Sequence, residues 1–270
     1  MSVLVLSGGG QGGWGFLGAL TELSNISFDV FIGTSVGGLI ATLLIIGYEA
    51  NYLFEKLKDV DIHTKPSLIK CIEEYGFCDL GCIMKVVEDL IVEKCGYVPT
   101  FKECKQTYDK DLIITGVCLD DRNTEYFKWE THPNMNVMKA LYITCSVPIL
   151  FKPIRYNDKL YVDGSLGDNF PINYAKESYE KSKIFGIEIK SNICDIKCFL
   201  SYMMNVLGLL LHKMSVYEKN DDAMCIITIN NNPFDMLNLF SNLENKIEMF
   251  NNGKQNAKTI INTFKPLDCV

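Results

Sequence analysis

The sequence predicts an α/β protein, with helices layered on a largely parallel sheet. Three observations carry this. Apolar runs of strand length alternate with helix-period segments along the chain. Two of those runs, in "VLVLSGGGQGGW" and "VFIGTSVGGL", pass through glycine-rich turns straight into helices. The 270 residues, 48% apolar and 22% charged, suffice for a large folded core. No Pro/Ser-rich linker, repeat or charge block divides the chain, so the expectation is a single domain over residues 1–270 with a helical insertion over roughly 50–105.

Taken in order, Val3 to Leu6 reads as a buried strand ending in "SGGGQGG", followed by an apolar-periodic helix from Trp14 to Leu23. Val30 to Ile32 is a second short strand, and "GGLIATLLIIGY" a buried helix. Residues 50–105 are mostly helical, with breaks at Pro66 and around Gly76 to Gly81. "DLIITGVCL" and "EYFKWE" are strands joined by the turn "DDRN". "KLYVDG" is a strand, Ile172 to Tyr179 a helix and "KIFGIEI" another strand. "MCIITI" is the last strand before C-terminal helices across 237–264.

The formal net charge of −7 argues against nucleic acid as a partner and against a polybasic face on anionic lipid. The eleven cysteines include no C-x-x-C pair and no histidine-paired spacing, so neither a metal nor a secreted disulfide framework is expected. "MSVLVLS" is too short for a signal h-region, and the apolar stretch 198–212 is too short and interrupted to span a bilayer. An intracellular, cytosolic chain, peripheral to membranes and without a transmembrane segment, is the expectation.

Gly8, Gly10 and Gly13 satisfy G-x-G-x-x-G, so a dinucleotide site must be weighed. That site needs an acidic residue after the second strand, about 20 residues on, and Asp29 lies before it. A P-loop is excluded because no G-K-[ST] follows. The same glycines can instead converge backbone N–H groups into a donor nest for an oxyanion. Gly33-Thr34-Ser35-Val36-Gly37 is G-x-S-x-G between a strand and a helix, the setting of a nucleophile elbow, with Gly33 and Gly37 leaving room for the sharp turn. A serine capping an ordinary helix start is the alternative for this fragment alone.

Two bases compete for Ser35. An α/β-hydrolase order, Ser35, Asp163, His212, is open in principle. Yet only one strand precedes the serine's own, and none of His63, His132 and His212 follows a glycine-rich strand end. The better candidate is Asp163 in "KLYVDGSLGDNFPI", projecting at a strand's C-terminal end and followed by Gly164, where a partly desolvated carboxylate can take the serine proton directly. Asp168 also fits as a loop acid, and Asn169 as a hydrogen-bonded brace.

Together the stretches "SGGGQGGWGFLGAL", "GTSVGG", "CSVPILFKPI" and "YVDGSLGDNFPI", in that order, resemble the patatin-like phospholipase family. The resemblance implies a three-layer α/β/α sandwich, a Ser35–Asp163 dyad without histidine, and Gly8, Gly9 and Gly10 as the oxyanion loop. It also implies no metal or cofactor, and hydrolysis of phospholipid or other acyl-lipid esters at a membrane or micelle surface. Two positions depart from the family pattern. Gly12 stands where Lys or Arg is usual, and Ser165 where the aspartate motif usually has Gly or Ala. A soluble carboxylesterase and a non-catalytic lipid-binding or storage protein of the same fold are the competing readings. Residues 198–211, rich in Met and Leu, are either core or a lipid-facing groove.

Overall fold

The computed structural model describes residues 1–60, 66–191, 196, 199–214, 224–231 and 242–263. Strand β1 (Val3–Leu6) leads through a short 3-10 turn, Gly10–Gly12, into helix α1 (Gly13–Glu22). Strand β2 (Val30–Gly33) leads likewise into α2 (Val36–Ile45). The stretch expected as helical holds α3 (Ala50–Leu57), α4 (Leu68–Glu74), α5 (Gly81–Cys95) and α6 (Phe101–Tyr108). A three-residue strand, β3 (Gly76–Cys78), interrupts it. Next come β4 (Asp111–Cys118), β5 (Asn123–Phe127) and α7 (Val137–Thr144). Strands β6 (Ile149–Phe151), β7 (Ile154–Tyr156) and β8 (Lys159–Asp163) follow, then α8 (Ser165–Asp168) and α9 (Ile172–Ser178). The chain closes with β9 (Ile184–Ser191), α10 (Phe199–Met214), β10 (Cys225–Asn231) and α11 (Leu243–Thr263).

The main sheet runs β10-β9-β1-β2-β4-β8-β7, with β5 also paired to β4. The first five strands in that order are mutually parallel, while β5, β7 and β8 add antiparallel pairings at the far side. All four residues of β1 are buried, as a central strand covered on both faces requires. Its side chains alternate. Leu4 and Leu6 join Phe31, Leu112 and Ile114 in one apolar cluster with α1, α2 and α11, through Phe16, Leu39 and Phe250 among others. Val3 and Val5 join Val30, Ile32 and Ile113 in a second cluster, under Phe170, Ile172 and Ala175. The result is the expected three-layer α/β/α sandwich with a mostly parallel sheet.

Helices α1 and α11 back directly onto each other. A Cβ on Gly18 would lie 1.9 Å from the Phe250 carbonyl oxygen, and one on Gly253 would lie 1.9 Å from that of Gly15. No side chain fits between the two backbones.

Beyond β6, β7 and α8, to which the sequence reading assigns no element, three elements depart from it. Strand β3 falls where only a break was expected, because its partner is β6, with Gly76 opposite Ile149. A Cβ at Gly76 would lie 2.4 Å from the Lys152 amide nitrogen, so its glycine serves close strand approach rather than a turn. Helix α7 lies where the sequence reading places no element, although Asn136 caps it, accepting from the Met138 N–H at 2.8 Å. Strand β5 stops at Phe127, short of the "KWE" assigned to it. The C-terminal helical expectation is met over 243–263, and its residues 237–241 and 264 lie outside the described residues. No single described helix is long and apolar enough to cross a membrane.

Candidate active site

Ser35 sits between β2 and α2 with φ 53° and ψ −125°, a backbone conformation that costs a non-glycine residue roughly 1–3 kcal/mol. The surroundings hold it there. Its N–H donates to the Thr144 hydroxyl oxygen at 2.8 Å, and the Gly37 and Gly38 N–H groups close the turn onto the Thr34 and Ser35 carbonyls at 2.9 Å. A Cβ on Gly33 would lie 2.5 Å from the Gly37 carbonyl carbon, and one on Gly37 would lie 2.6 Å from the Leu6 and Ser7 carbonyl oxygens. The elbow exists in this form only because both positions lack a side chain. Thr34 fixes it sideways, bonding the Thr115 hydroxyl at 2.7 Å and donating to the Asp168 carbonyl at 2.9 Å.

Asp163 is the last residue of β8 and is 1% exposed. Its N–H donates to the Ser146 carbonyl at 3.0 Å, and its Oδ1 accepts from the Ser165 N–H at 2.8 Å. Oδ2 is buried and accepts no hydrogen bond. Burial pushes the carboxyl up to about 6, against the opposing pull of Ser165 and of the Ser35 hydroxyl. The Ser35 hydroxyl is thus close enough to act on the Asp163 carboxyl. Gly164 is needed behind them, since a Cβ there would lie 2.1 Å from the Thr115 hydroxyl oxygen.

The glycine loop lies across the elbow. A Cβ on Gly8 would lie 2.5 Å from Asn169 Oδ1 and 2.6 Å from the Ser165 hydroxyl oxygen, so the missing side chain lets the glycine loop pack onto the aspartate loop beside Ser35. The Gly8 amide is engaged, donating 2.9 Å to the Asn169 carbonyl. The Gly8 N–H thus ties the glycine loop to the aspartate loop. Among the described residues the Gly9 and Gly10 N–H groups enter no hydrogen bond, and Gly10 has φ 52°, which a side chain would strain. The loop closes on itself through the Gly12 N–H to the Gly9 carbonyl at 2.9 Å, and the Trp14 indole donates to Gln11 Oε1 at 3.0 Å. Gly12 is buried inside this turn, and the loop is held without the usual cation at that position.

The remaining candidates lie elsewhere. Asp168 Oδ2 accepts from the Tyr126 hydroxyl at 2.8 Å, and burial raises its pKa; it braces the loop under the site. Asn169 does brace the loop as expected, by its backbone carbonyl. His132 bonds Thr131 and stacks edge-on against Phe127, with burial lowering its pKa. His63 lies outside the described residues, and His212 falls in α10. Cys118, Asp121 and Glu125 bring ligand atoms within 4.8 Å of one another, but Asp121 is paired with Lys159, and Glu125 accepts from the Tyr161 hydroxyl at 3.1 Å. Sequence reasoning missed Thr144 and gave no separate role to Cys145 and Ser146 of "CSVPILFKPI"; all three meet Ser35 and Asp163 from the end of α7, and Thr144 is 109 residues from the serine it holds, with no local pattern to announce it.

Residues 4–176 match the patatin-like phospholipase family. The chain belongs to that family. It is 30% identical over 267 residues to the "Probable lipid hydrolase 463L" of Invertebrate iridescent virus 6, covering 95% of this chain and 88% of that protein. It is 28% identical over 282 residues to the "Uncharacterized protein R571" of Acanthamoeba polyphaga mimivirus, covering 94% and 92%. In fold it is similar to VipD from Legionella pneumophila, with TM-score 0.63 at 14% identity, covering 97% of this chain and 67% of that one. The type III effector ExoU of Pseudomonas aeruginosa gives TM-score 0.53 at 16% identity, and this patatin-like chain spans 54% of its length.

Proposed function

We propose that this patatin-like chain is a serine acyl hydrolase that cleaves phospholipid or related acyl-lipid esters through Ser35 and Asp163. The observation that carries the reading is the pairing of a strained, glycine-cleared serine with a buried carboxylate whose second oxygen is unpartnered. Asp163 takes the hydroxyl proton as Ser35 Oγ attacks the ester carbonyl carbon. The Gly9 and Gly10 N–H groups receive the oxyanion, each such donor contributing about 3 kcal/mol to transition-state stabilisation. Collapse breaks the ester C–O bond, and the departing alcohol, a lysolipid or headgroup-bearing glycerol, takes the proton from Asp163. Water then gives a proton to Asp163 and attacks the acyl-enzyme. The fatty acid leaves, and the proton returns to Ser35. Gly33, Gly37 and Gly164 shape the elbow and the acid's turn. The cycle needs neither metal nor cofactor.

Lipid contact in this reading falls to α10, which packs against α8 beside the aspartate loop. Phe199, Tyr202, Val206 and Leu209 recur at helical spacing and are all exposed, and residues 198–212 carry no charged side chain. With a net charge of −7, the partner is a zwitterionic lipid surface rather than an anionic one. An intracellular site, peripheral to membranes, accords with the free thiols of the described cysteines.

The test is fatty-acid release from phosphatidylcholine vesicles with EDTA present. Activity in wild type and His212→Ala, lost in Ser35→Ala and Asp163→Asn, is the expected result. Loss in a folded His212→Ala protein would put a histidine into the mechanism. Vesicle binding without turnover in wild type would leave a lipid-binding protein.

A further inference from the structure

Both members of the dyad are held from one three-residue turn. At the C-terminal end of α7, the Thr144 hydroxyl oxygen accepts the Ser35 N–H at 2.8 Å, and two residues on, the Ser146 carbonyl accepts the Asp163 N–H at 3.0 Å. Between them, the buried Cys145 thiol interacts with the Ser35 side chain and feels the Asp163 charge. Thr144 and Ser146 are both fully buried. The turn is itself braced. The Ser146 N–H donates to the Ile143 carbonyl at 3.1 Å, its hydroxyl donates to the Tyr142 carbonyl at 2.6 Å, and the Val147 N–H donates to the Cys145 carbonyl at 2.9 Å.

We propose that Thr144 is a positioning residue for the nucleophile, and that the Thr144–Ser146 turn sets the separation of Ser35 from Asp163. The reason is geometric. Asp163 ends β8 and Ser35 follows the end of β2 by two residues, and those strands are not neighbours in the sheet, since β4 lies between them. Sheet pairing alone leaves their side-chain spacing to the sum of two registers. The turn bypasses β4 and ties each backbone amide to the same rigid unit. The tie on the serine side is the more exposed to loss, because it runs through a side chain and holds a residue at φ 53°. Without that acceptor, the Ser35 N–H is buried and unpaired, and the elbow can relax towards ordinary backbone angles. The inference rests on the serine–aspartate reading given above.

Two variants separate positioning from packing. Thr144→Val keeps the shape and the methyl that lies against Gly38, but removes the acceptor. Thr144→Ser keeps the acceptor and removes the methyl. Both are expected to lower Tm. Only Thr144→Val should lower kcat on phosphatidylcholine vesicles, by roughly 10- to 100-fold with KM within about two-fold, as a misplacement on the order of 1 Å produces. Labelling of Ser35 by a fluorophosphonate probe should slow in parallel, and Thr144→Ser should label at nearly the wild-type rate. Equal loss of kcat in both variants, tracking Tm, would overturn the proposal, as would wild-type labelling by Thr144→Val. Ser35→Ala serves as the separate control. If it retains wild-type activity, the dyad reading fails; if it is inactive while Thr144→Val matches wild type, only the positioning role fails.

Discussion

The Ser165 N–H donates to Asp163 Oδ1 at 2.8 Å, and this single bond divides the carboxylate into a held oxygen and a free one. The held oxygen fixes the side-chain rotation, and the free one is left for a proton. Burial is the larger influence, and it pushes the carboxyl up to about 6. The acid must be ionised to act as a base. The rate is therefore expected to fall as pH drops through about 6, tenfold per pH unit below it, in a kcat/KM profile on a monomeric ester.

The same shift has the opposite sign for stability. A carboxyl whose folded pKa exceeds its unfolded value binds its proton more tightly in the native state. Its stabilising contribution is complete below about pH 4 and is lost as pH rises through about 6. At neutral pH the ionised Asp163 thus costs about 3 kcal/mol relative to its unfolded reference. Asp163→Asn is expected to be inactive and yet to melt several degrees above wild type at pH 8. That gap should narrow as pH falls through about 6 and close only below about pH 4, as thermal melts across that range would show.

Ser35 carries a second built-in strain. Ser35→Gly removes the Cβ from a conformation at φ 53° and ψ −125° that glycine adopts freely. Activity should disappear while stability rises by about 1 kcal/mol, the relieved strain being partly offset by glycine's larger unfolded-state entropy. Urea unfolding of Ser35→Gly against Ser35→Ala measures this, because only the glycine variant relieves the backbone.

Gly37→Ala should fail for the converse reason. Its Cβ would meet the backbone carbonyl oxygens of Leu6 and Ser7 at 2.6 Å, and neither can rotate away. The elbow must shift off β1, with an expected loss of about 2–3 kcal/mol and of all measurable turnover. A soluble, folded Gly37→Ala protein with wild-type kcat would contradict the geometry.

The exposed face of α10 gives a substrate-dependent expectation. Leu209→Glu, or Tyr202→Glu, should reduce turnover of phosphatidylcholine vesicles at least tenfold while leaving a short-chain soluble ester nearly unaffected. Equal effects on both substrates, or dissolution of a dimer seen by sedimentation, would assign that face to something other than lipid.

The order of elements along the chain is written in local chemistry, and that much is legible in the sequence. Apolar four-residue runs read as buried strands. Gly33 and Gly37 flank a serine because a tight strand-to-helix turn admits no side chain, and an aspartate before glycine marks a strand's end. These are short-range constraints, so short windows of sequence contain them. What the residues do to one another was decided by tertiary contact. The Gly8 amide is engaged by the Asn169 carbonyl, which the aspartate loop brings in. Thr144 is unremarkable at its position and becomes the partner of Ser35 only when α7 folds across β4. Strand β3 exists because β6 reaches it. The raised carboxyl of Asp163 is likewise a product of burial, which no neighbouring residue in the chain encodes. Local sequence selects backbone conformations residue by residue. Hydrogen-bond partners and dielectric surroundings come from segments a hundred residues apart, and only the packed sheet and helices bring them together.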